Sequence, residues 1–318
     1  FMHPQMQELF IKYINDTVSS LLKSKEKNVN SQLIITTHSS HILNSKIHSG
    51  NTFNSINYIV NDNKHSNVIA LNDEKVKPKI KKGEDKENKD LIFLKKHIKY
   101  KVSELFFSDA IIFIEGVTEE TLLRYFLDNH SVLNKYYISI FKIDGAHGLV
   151  YHELIKLLKV PSLLITDLDI KRSEDENGEK EVVQISTLAG TTTTNKTIKK
   201  YNNDSEQLEN IPEYYEESNI RVVYQGKING YYATSFEEAF ILTNYDNELL
   251  NTVLKEMRPK VYKKIIGDDE DKKMIKDNSF KLHKSLSNGK SEFASSLLYE
   301  FITSGAEIPM LPEYISGG

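Results

Sequence analysis

The chain has 318 residues, of which 39% are hydrophobic and 27% charged, so it can build at least one sizeable core and about two domains. It contains no cysteine, which excludes disulfides, a cysteine nucleophile and a cysteine-ligated zinc site. The net charge of −4 excludes a basic nucleic-acid coat, although bound cations would still let the chain act on nucleic acid. No apolar run has the length of a transmembrane helix, and no secretory signal is visible.

The first 71 residues alternate between helical and extended patterns. Apolar residues between Leu9 and Leu22 recur at three- and four-residue spacing, which predicts an amphipathic helix. A strand is predicted at 32–36, a short amphipathic stretch after His41, and a pair of strands at 56–60 and 66–71. Because a core helix opens the chain, we expect that an N-terminal portion is missing. Residues 72–90 are mostly charged and predict a linker, and a helix is predicted from 90 to about 107.

Strands and helices alternate from residue 110 onward. The apolar run 110–114 is typical of a buried parallel strand. Later strands are predicted at 138–143, 162–166 and 221–224, with helices around Leu122–Leu127 and 149–158. This order predicts an α/β fold with a parallel sheet flanked by helices. The polar segment 170–219 is predicted to be a long insertion, and the chain from 235 onward to be mostly helical.

Acidic residues stand at the ends of the predicted strands. Glu115 follows the first strand, and Asp167 and Asp169 follow the third. The carboxyl ends of parallel strands share one edge of the sheet, where ligands bind. Asp167 and Asp169 are two residues apart, so in extended chain they would point the same way. Further acids of this group are Glu119, Glu237 and Glu238.

Several carboxylates at one sheet edge would repel one another unless cations were bound. Magnesium prefers such hard oxygen ligands, and two ions about 4 Å apart stabilise both the attacking and the leaving oxygen of a phosphodiester. The acids therefore predict metal-dependent phosphoryl chemistry. A single Asp-X-Asp or Glu-Gly is also common in solvated turns, so the prediction depends on their combination.

The segments IIFIEGVTEETLL and LLITDLD resemble the TOPRIM domain of topoisomerases, primases and nucleases. HPQMQ and LIITTHSSHIL resemble the C-terminal part of an ABC-type ATPase. An ATPase lobe fused to TOPRIM is the layout of the OLD (overcoming lysogenization defect) endonucleases. Within that family the GKSEFA and IPMLPEYI stretches are similar to the nuclease of the Gabija anti-phage system. The resemblance covers nearly the whole chain, as the C-terminal part of a longer protein.

The resemblance assigns roles to the acids at the strand ends. Glu115 matches the glutamate that TOPRIM domains carry after their first strand, which implies a catalytic residue or metal ligand. Glu119 matches the second acid of the Glu-X-X-X-acid pattern. Asp167 and Asp169 match the Asp-X-Asp pair and are implied metal ligands.

Residues outside these two motifs also match the family. Either Glu237 or Glu238 is similar to a further metal-site acid. Lys290 matches a lysine that would face the scissile phosphate, so the resemblance implies that it is catalytic. His38 matches the switch histidine of the ATPase, which would bind nucleotide only if the missing lobe were present.

The resemblance also implies an organisation and a biological setting. It implies a partial ATPase lobe at 1–72, a charged linker at 73–90, and a TOPRIM nuclease domain at 91–318 with the insertion 170–219. The implied activity is cleavage of double-stranded DNA with Mg²⁺ or Mn²⁺, using two ions, in the cytoplasm of a bacterium. Implied partners are further copies of the chain and a helicase-like subunit of the GajB type. The sequence contains neither a Walker A nor a Walker B segment, so ATP is not expected to bind.

Other functions remain open at this level. The chain could be an oligomerisation and DNA-docking module that is inactive without the ATPase lobe, since the apolar face of its first helix suits association. A topoisomerase or primase would use the same acids, but no companion cleavage domain is recognisable. The stretch from Thr191 to Lys196 could contact a DNA backbone. For that stretch, the polar composition favours a disordered loop.

Overall fold

The computed structural model describes residues 3–23, 34–62, 65–79, 84–98, 103–143, 145–172, 183–267 and 271–317. The chain divides into two compact units, residues 1–111 with 149–160 and residues 112–148 with 161–318. In these described ranges, no helix is both long and apolar enough to cross a membrane.

The first unit begins with helices and a β-hairpin. Its elements are α1 (Pro4–Lys23), α2 (Ser40–Gly50), β1 (Ile56–Asp62), β2 (His65–Leu71), α3 (Asp73–Val76), α4 (Glu84–His97) and a 3₁₀ turn at Ser103–Phe107. β1 and β2 pair antiparallel, with Ile56 opposite Leu71. The predicted first helix and hairpin are confirmed.

Two predictions in this unit are wrong. Residues 34–36, predicted as part of a strand, form no regular element, and residues 32 and 33 lie outside the described residues. The charged run 72–90 carries α3 and the first turns of α4, so the helix predicted from Asp90 begins at Glu84. Composition alone was misleading here, because α4 buries Leu91 and Leu94, and its buried Lys95 pairs with Asp73 at 2.8 Å.

The following segment has the predicted alternation of strands and helices. Its elements are β3 (Ala110–Ile114), α5 (Val117–Asn129), β4 (Ile138–Lys142), α6 (His152–Leu158) and β5 (Ser162–Ile165), with 3₁₀ turns at Leu133–Lys135 and Gly145–Tyr151. They are followed by α7 (Lys196–Tyr201), β6 (Tyr214–Glu217), β7 (Ile220–Val223), β8 (Lys227–Ile228) and β9 (Tyr231–Tyr232).

The central sheet has five strands in the order β4-β3-β5-β7-β6. β5 and β7 pair parallel, with Ile165 opposite Val223, and the edge strand β6 pairs antiparallel with β7. The sheet is mainly parallel and flanked by helices, so the predicted α/β fold is confirmed. The carboxyl ends of β3, β5 and β7, which are neighbours in this order, therefore lie side by side.

A helical segment completes the second unit, as predicted. Its helices are α8 (Phe236–Thr243), α9 (Glu248–Met257), α10 (Pro259–Ile266), α11 (Lys273–Asp277), α12 (Ser279–Leu286), α13 (Lys290–Thr303) and α14 (Glu313–Ser316). Several start at residues that satisfy the first turn. Asn247 accepts a hydrogen bond from the Leu250 N–H, and Pro259 occupies the first turn of α10.

The core of the second unit joins the sheet to these helices. Ile114 of β3, Phe236 and Phe240 of α8, Leu250 of α9 and Phe293 of α13 are fully buried in one cluster. Burying apolar side chains of this size contributes roughly 1.5–3 kcal/mol each. The core therefore fixes α8 and α13 against the strand that ends at Glu115.

The segment 170–219, predicted to be an insertion, is folded in its described residues, 170–172 and 183–219. Leu188, Ile198 and Leu208 from the insertion pack with Leu168 after β5 and Tyr224 after β7 in a second buried cluster. The insertion is thus anchored beside the ends of two central strands.

Candidate metal centre

Three neighbouring strands each deliver a polar side chain to one edge of the sheet. Glu115 follows β3, Asp167 lies two residues after β5, and Gln225 lies two residues after β7. The parallel pairing continues past the strands, because the Thr166 N–H donates to the Val223 carbonyl at 3.0 Å. The expected meeting of Glu115 with the Asp-X-Asp motif is present in the structure.

Glu115 is half-buried and held by neutral donors. The Thr166 hydroxyl donates a short hydrogen bond to Glu115 Oε1, and Asn195 Nδ2 lies 3.3 Å from the same oxygen. Asn195 Nδ2 also lies 3.3 Å from Asp169 Oδ2. Two of the predicted acids therefore lie within reach of one amide group.

The turn that carries Asp167 and Asp169 is not extended, contrary to the expectation from their spacing. Asp169 has φ 45°, in the left-handed region that Asp and Asn tolerate better than most residues. Its N–H donates to the Thr234 carbonyl at 3.0 Å, and its carbonyl accepts from the Thr194 N–H at 3.1 Å. Hydrogen bonds from two sides thus hold a backbone conformation that points the two aspartates at different partners.

Asp167 is directed at the start of α8. Its Oδ1 accepts from the backbone N–H of Phe236 at 3.0 Å and from Gln225 Nε2 at 2.7 Å. Gln225 Oε1 accepts from the Leu168 N–H at 2.7 Å, so the glutamine holds both the side chain and the backbone of the turn. Gln225 Nε2 also lies 3.3 Å from the Tyr314 hydroxyl on α14.

Glu119, in the first turn of α5, folds back over Gly116. A Cβ at Gly116 would lie 2.2 Å from Glu119 Oε2, so the position of this carboxylate depends on a residue without a side chain. Glu119 is 2% exposed, and its Oε2 has no hydrogen-bond partner among the described residues. An unsatisfied buried carboxylate oxygen costs several kcal/mol in order of magnitude, which makes it a candidate ligand for a cation.

Glu237 joins the same cluster from α8. It is 1% exposed and accepts from the Thr118 hydroxyl at 2.8 Å, from the Ser235 hydroxyl at 3.1 Å, and from Lys290 Nζ at 2.8 Å. Lys290 is the first residue of α13, far from the acids in sequence. His283 Nδ1 lies 3.1 Å from the Ser235 hydroxyl oxygen and 3.9 Å from Glu237 Oε2.

Glu238 is equally buried but has separate partners. Its Oε2 accepts from the Thr234 N–H at 2.8 Å, and its Oε1 accepts from the Ser279 hydroxyl at 3.2 Å. Glu238 thus satisfies the backbone N–H of Thr234, the residue just before the N-cap Ser235, and stabilises the start of α8. Of the two adjacent glutamates, Glu237 lies among the other acids and Glu238 does not.

The electrostatics of the cluster match its geometry. Burial raises the pKa of Glu115, Glu119 and Asp167. Repulsion by a neighbouring carboxylate raises each pKa further, chiefly from Asp169 at Glu115, from Glu237 at Glu119 and from Glu119 at Asp167. The pKa of Glu119 reaches about 8. For Glu237 burial is outweighed by attraction to Lys290, so its pKa falls below the usual range. Asp167, Glu119 and Glu237 all attract Lys290, whose pKa is raised even though burial opposes its charge.

The donor set fits a hard divalent cation. It consists of carboxylate oxygens, one of them buried without a partner, and Mg²⁺ and Mn²⁺ prefer such oxygens. As the side chains stand, no group of three or more Asp, Glu or His residues in the described ranges is arranged to hold an ion. The carboxylates instead accept hydrogen bonds from protein donors, namely Lys290, Asn195, Gln225 and the hydroxyls of Thr118 and Thr166. Ligand roles for Glu115, Glu119, Asp167, Asp169, Glu237 and Glu238 therefore stay predictions.

His38, predicted for a nucleotide site, belongs to the first unit, whereas all of the acids belong to the second. It is exposed, and its ring centroid lies 6.4 Å from that of Phe107. The next residue, Ser39, donates its hydroxyl to Gln7 Oε1 at 2.6 Å. His38 therefore lies in the irregular segment directly before α2.

Three residues at this site, Gln225, Asn195 and His283, are not among the predicted site residues. Gln225 had a usable signal, since it is a polar residue directly after a predicted strand of the same sheet. Asn195 was assigned to a polar loop. His283 had no signal, because a single histidine in a helical segment is common.

Comparisons with known proteins show what the chain is similar to. Residues 106–169 match the family described as "Overcoming lysogenization defect protein-like, TOPRIM domain". The chain is also 65% identical over 319 residues to Endonuclease GajA of Bacillus cereus (strain HuB5-5), a match that covers 100% of this chain and 46% of the relative, its C-terminal part. The chain thus spans less than half the length of that relative. The match over 106–169 includes Glu115, Glu119, Asp167 and Asp169, so this segment of the chain is similar to an OLD-like TOPRIM domain.

Proposed function

We propose that this chain carries the cleavage centre of a divalent-metal-dependent DNA endonuclease that acts in anti-phage defence. The observation that supports this most is the meeting of Glu115, Glu119, Asp167 and Glu237 with Lys290 at one edge of a parallel sheet. The relative named Endonuclease GajA supports the reaction class, and the TOPRIM match supports the use of metal ions.

Each residue has a chemical task in this proposal. Asp167, Asp169, Glu119 and Glu237 would hold Mg²⁺ or Mn²⁺, most simply as two ions. Bound ions of this kind polarise a phosphodiester and favour the ionised form of water. Glu115 would accept the proton of the attacking water, since burial raises its pKa above that of an exposed glutamate and so makes it a stronger base. Lys290 would present its charged ammonium group to the phosphate as negative charge develops.

Plasmid nicking by the full chain tests this proposal. Asp167→Asn keeps an oxygen that can accept from Phe236 and Gln225 but removes the charge needed to hold a cation. We expect nicking with Mn²⁺ or Mg²⁺ to fall about 100-fold or more. Asp246→Asn, at an exposed position after α8, is the matched control and should cleave like the wild type. Wild-type cleavage that persists in EDTA, or full activity of Asp167→Asn, would contradict the proposal.

A second candidate function, assembly of copies of the chain, is supported by α1. This helix exposes several large apolar side chains, namely Met6, Leu9, Phe10, Tyr13, Val18 and Leu21. Exposed apolar surface of this extent is typical of an interface. Size-exclusion chromatography with light scattering should show a lower mass for Leu9→Glu, but not for Lys12→Glu on the same helix. An unchanged mass for Leu9→Glu would remove this candidate.

A further inference from the structure

The stretch from Thr191 to Asn195, predicted to be a disordered loop, is bound to the Asp-X-Asp turn. Thr193 is 1% exposed and donates its hydroxyl to the Leu168 carbonyl at 2.6 Å. The Lys171 N–H donates to the Thr192 carbonyl at 2.8 Å, and the Thr194 N–H donates to the Asp169 carbonyl. The insertion thus forms a wall, made of residues 191–195, that is hydrogen-bonded to the turn carrying two of the acids.

Asn195 lies at the centre of this wall and is 5% exposed. Its Oδ1 accepts from the backbone N–H groups of Thr197 at 2.8 Å and Ile198 at 3.2 Å, which caps α7. Because the two backbone N–H groups need an acceptor, the atom that faces them must be the amide oxygen and not the amide nitrogen. The NH₂ group must point the other way, toward the acids.

The Asn195 NH₂ group has four acceptors nearby and only two hydrogens to share among them. Asp167 O lies at 2.8 Å and Thr166 Oγ1 at 3.0 Å. Glu115 Oε1 and Asp169 Oδ2 each lie at 3.3 Å. One neutral amide therefore connects the end of β3, the turn after β5 and the insertion.

We infer that Asn195 is a positioning residue for the cleavage centre: it holds the Glu115 and Asp169 carboxylates at a fixed separation so that they can bind cations. The inference rests on the proposed nuclease function and adds a residue of the insertion to it. A donor is favoured at this point because two carboxylates with nothing between them repel. The Asn195 NH₂ group lies 3.3 Å from both carboxylates and places its positive hydrogens between them, without competing for a cation as an ammonium group would. Neighbours that orient metal ligands typically change metal affinity by about 10–100-fold when they are removed.

Two simpler roles would predict other behaviour. If Asn195 only capped α7, any residue with a good cap oxygen would replace it without functional loss. If it contacted DNA, its loss would weaken DNA binding, but the side chain is buried and its donors are directed at the acids.

The test uses two substitutions that keep the cap. Asn195→Ser retains a cap oxygen but is too short to reach Glu115, and Asn195→Asp retains the cap geometry but replaces the donor with a carboxylate. Asn202→Asp is the matched control, because Asn202 donates to the Gln207 carbonyl at the other end of α7. Three quantities are measured on the full chain: Mn²⁺ binding by calorimetry without DNA, kcat and KM for plasmid nicking, and the melting temperature in EDTA.

We expect Asn195→Ser to weaken Mn²⁺ binding and to lower kcat, each about tenfold or more, while KM for DNA and the melting temperature stay near wild type. Asn195→Asp should lower kcat further and melt below Asn195→Ser in EDTA, since it adds a like charge to the cluster. Asn202→Asp loses its own hydrogen bond and should melt at a lower temperature, but it should leave Mn²⁺ binding, kcat and KM near wild type. The wild-type protein could cleave no DNA while Asn195→Ser still binds Mn²⁺ more weakly than the wild type does. That pair of results would refute the proposed function but support the positioning role. A rise in KM at constant kcat, or wild-type Mn²⁺ binding by folded Asn195→Ser, would overturn the inference.

Discussion

Two adjacent glutamates at the start of α8 show how the surroundings of a side chain decide its role. Glu237 and Glu238 are the same residue type, are 1% and 0% exposed, and lie in the same helical turn. Glu238 accepts from a backbone N–H and a serine hydroxyl, and both of its oxygens are satisfied by the fold. Glu237 faces Lys290 and the other acids. Burial alone therefore does not identify a site residue, whereas the charges around it do.

Replacing each of the two glutamates in turn by glutamine should produce the largest difference in DNA cleavage. We expect Glu237→Gln to lower plasmid cleavage about 100-fold or more, because it removes a charge from the cluster. Glu238→Gln should retain cleavage within a few-fold of wild type, since a glutamine oxygen can still accept from Thr234. Cleavage assays at saturating Mn²⁺ check this. Equal losses for both variants would mean that the two sides of the helix do not differ in function.

Lys290 should show the next largest effect. Lys290→Gln removes a charge from the site and leaves Glu237 buried without its ion pair, so both cleavage and stability should fall, the latter by about 1–3 kcal/mol. The double variant Glu237→Gln with Lys290→Gln should recover stability but not cleavage. Denaturant unfolding and nicking assays measure the two effects. Lys260→Gln, on the exposed side of α10, is the control, and a double variant no more stable than Lys290→Gln would argue against the ion pair.

A smaller effect is expected at Gly116, which makes room for the Glu119 carboxylate. Gly116→Ala should displace Glu119 and lower cleavage about tenfold, with little change in melting temperature, because φ −115° suits alanine. Gly226→Ala is the matched control, since a Cβ there meets no atom within 4 Å. Normal cleavage by Gly116→Ala would show that the placement of Glu119 is not critical.

The smallest effect concerns how stability depends on pH. The folded-state pKa values of Glu119, about 8, and Glu238, about 7, lie above the usual value of 4.5. The stability that each contributes is complete below the unfolded pKa and is lost as the pH rises through the folded pKa. In EDTA, Glu119→Gln and Glu238→Gln should each reduce this loss by a few degrees of melting temperature.

Mn²⁺ separates the two glutamates in this experiment. Under the proposed function, a cation held by Glu119 would stabilise the ionised form of that residue and would not contact Glu238. Mn²⁺ should therefore raise the wild-type melting temperature more at about pH 8 than at about pH 6. This extra rise in melting temperature should vanish in Glu119→Gln and persist in Glu238→Gln. The opposite result would place the cation beside Glu238 and contradict the prediction.

The sequence predicted the parts of the fold and site that follow from local pattern. The apolar strands and the acids directly after them identified the sheet edge, because parallel strands must end together there. The choice between Glu237 and Glu238 was also available, since Ser235-X-X-Glu238 has the spacing of a capping box. That signal would have assigned Glu238 to the start of α8.

Other parts depended on tertiary structure. Without a family resemblance, no local pattern marks Lys290, which reaches Glu237 across 53 positions only through the packing of α13 on the core. The threonines before Asn195 have the composition of a loop, and their hydrogen bonds to the Asp-X-Asp turn become visible only once β5 and the insertion are side by side. The prediction of an extended chain at Asp167 and Asp169 was wrong for the same reason. Hydrogen bonds with Thr234 and Thr194 hold the turn at Asp169.

The left-handed backbone at Asp169 also restricts how this position can evolve. The turn tolerates glycine, asparagine and aspartate, while the proposed chemistry there requires a negative charge. Glutamate would supply the negative charge but would be strained in the left-handed backbone. Asparagine would tolerate the backbone but would lack the charge. Aspartate alone meets both requirements, so mutational drift at residue 169 should be narrower than at positions where only the side-chain charge is under selection.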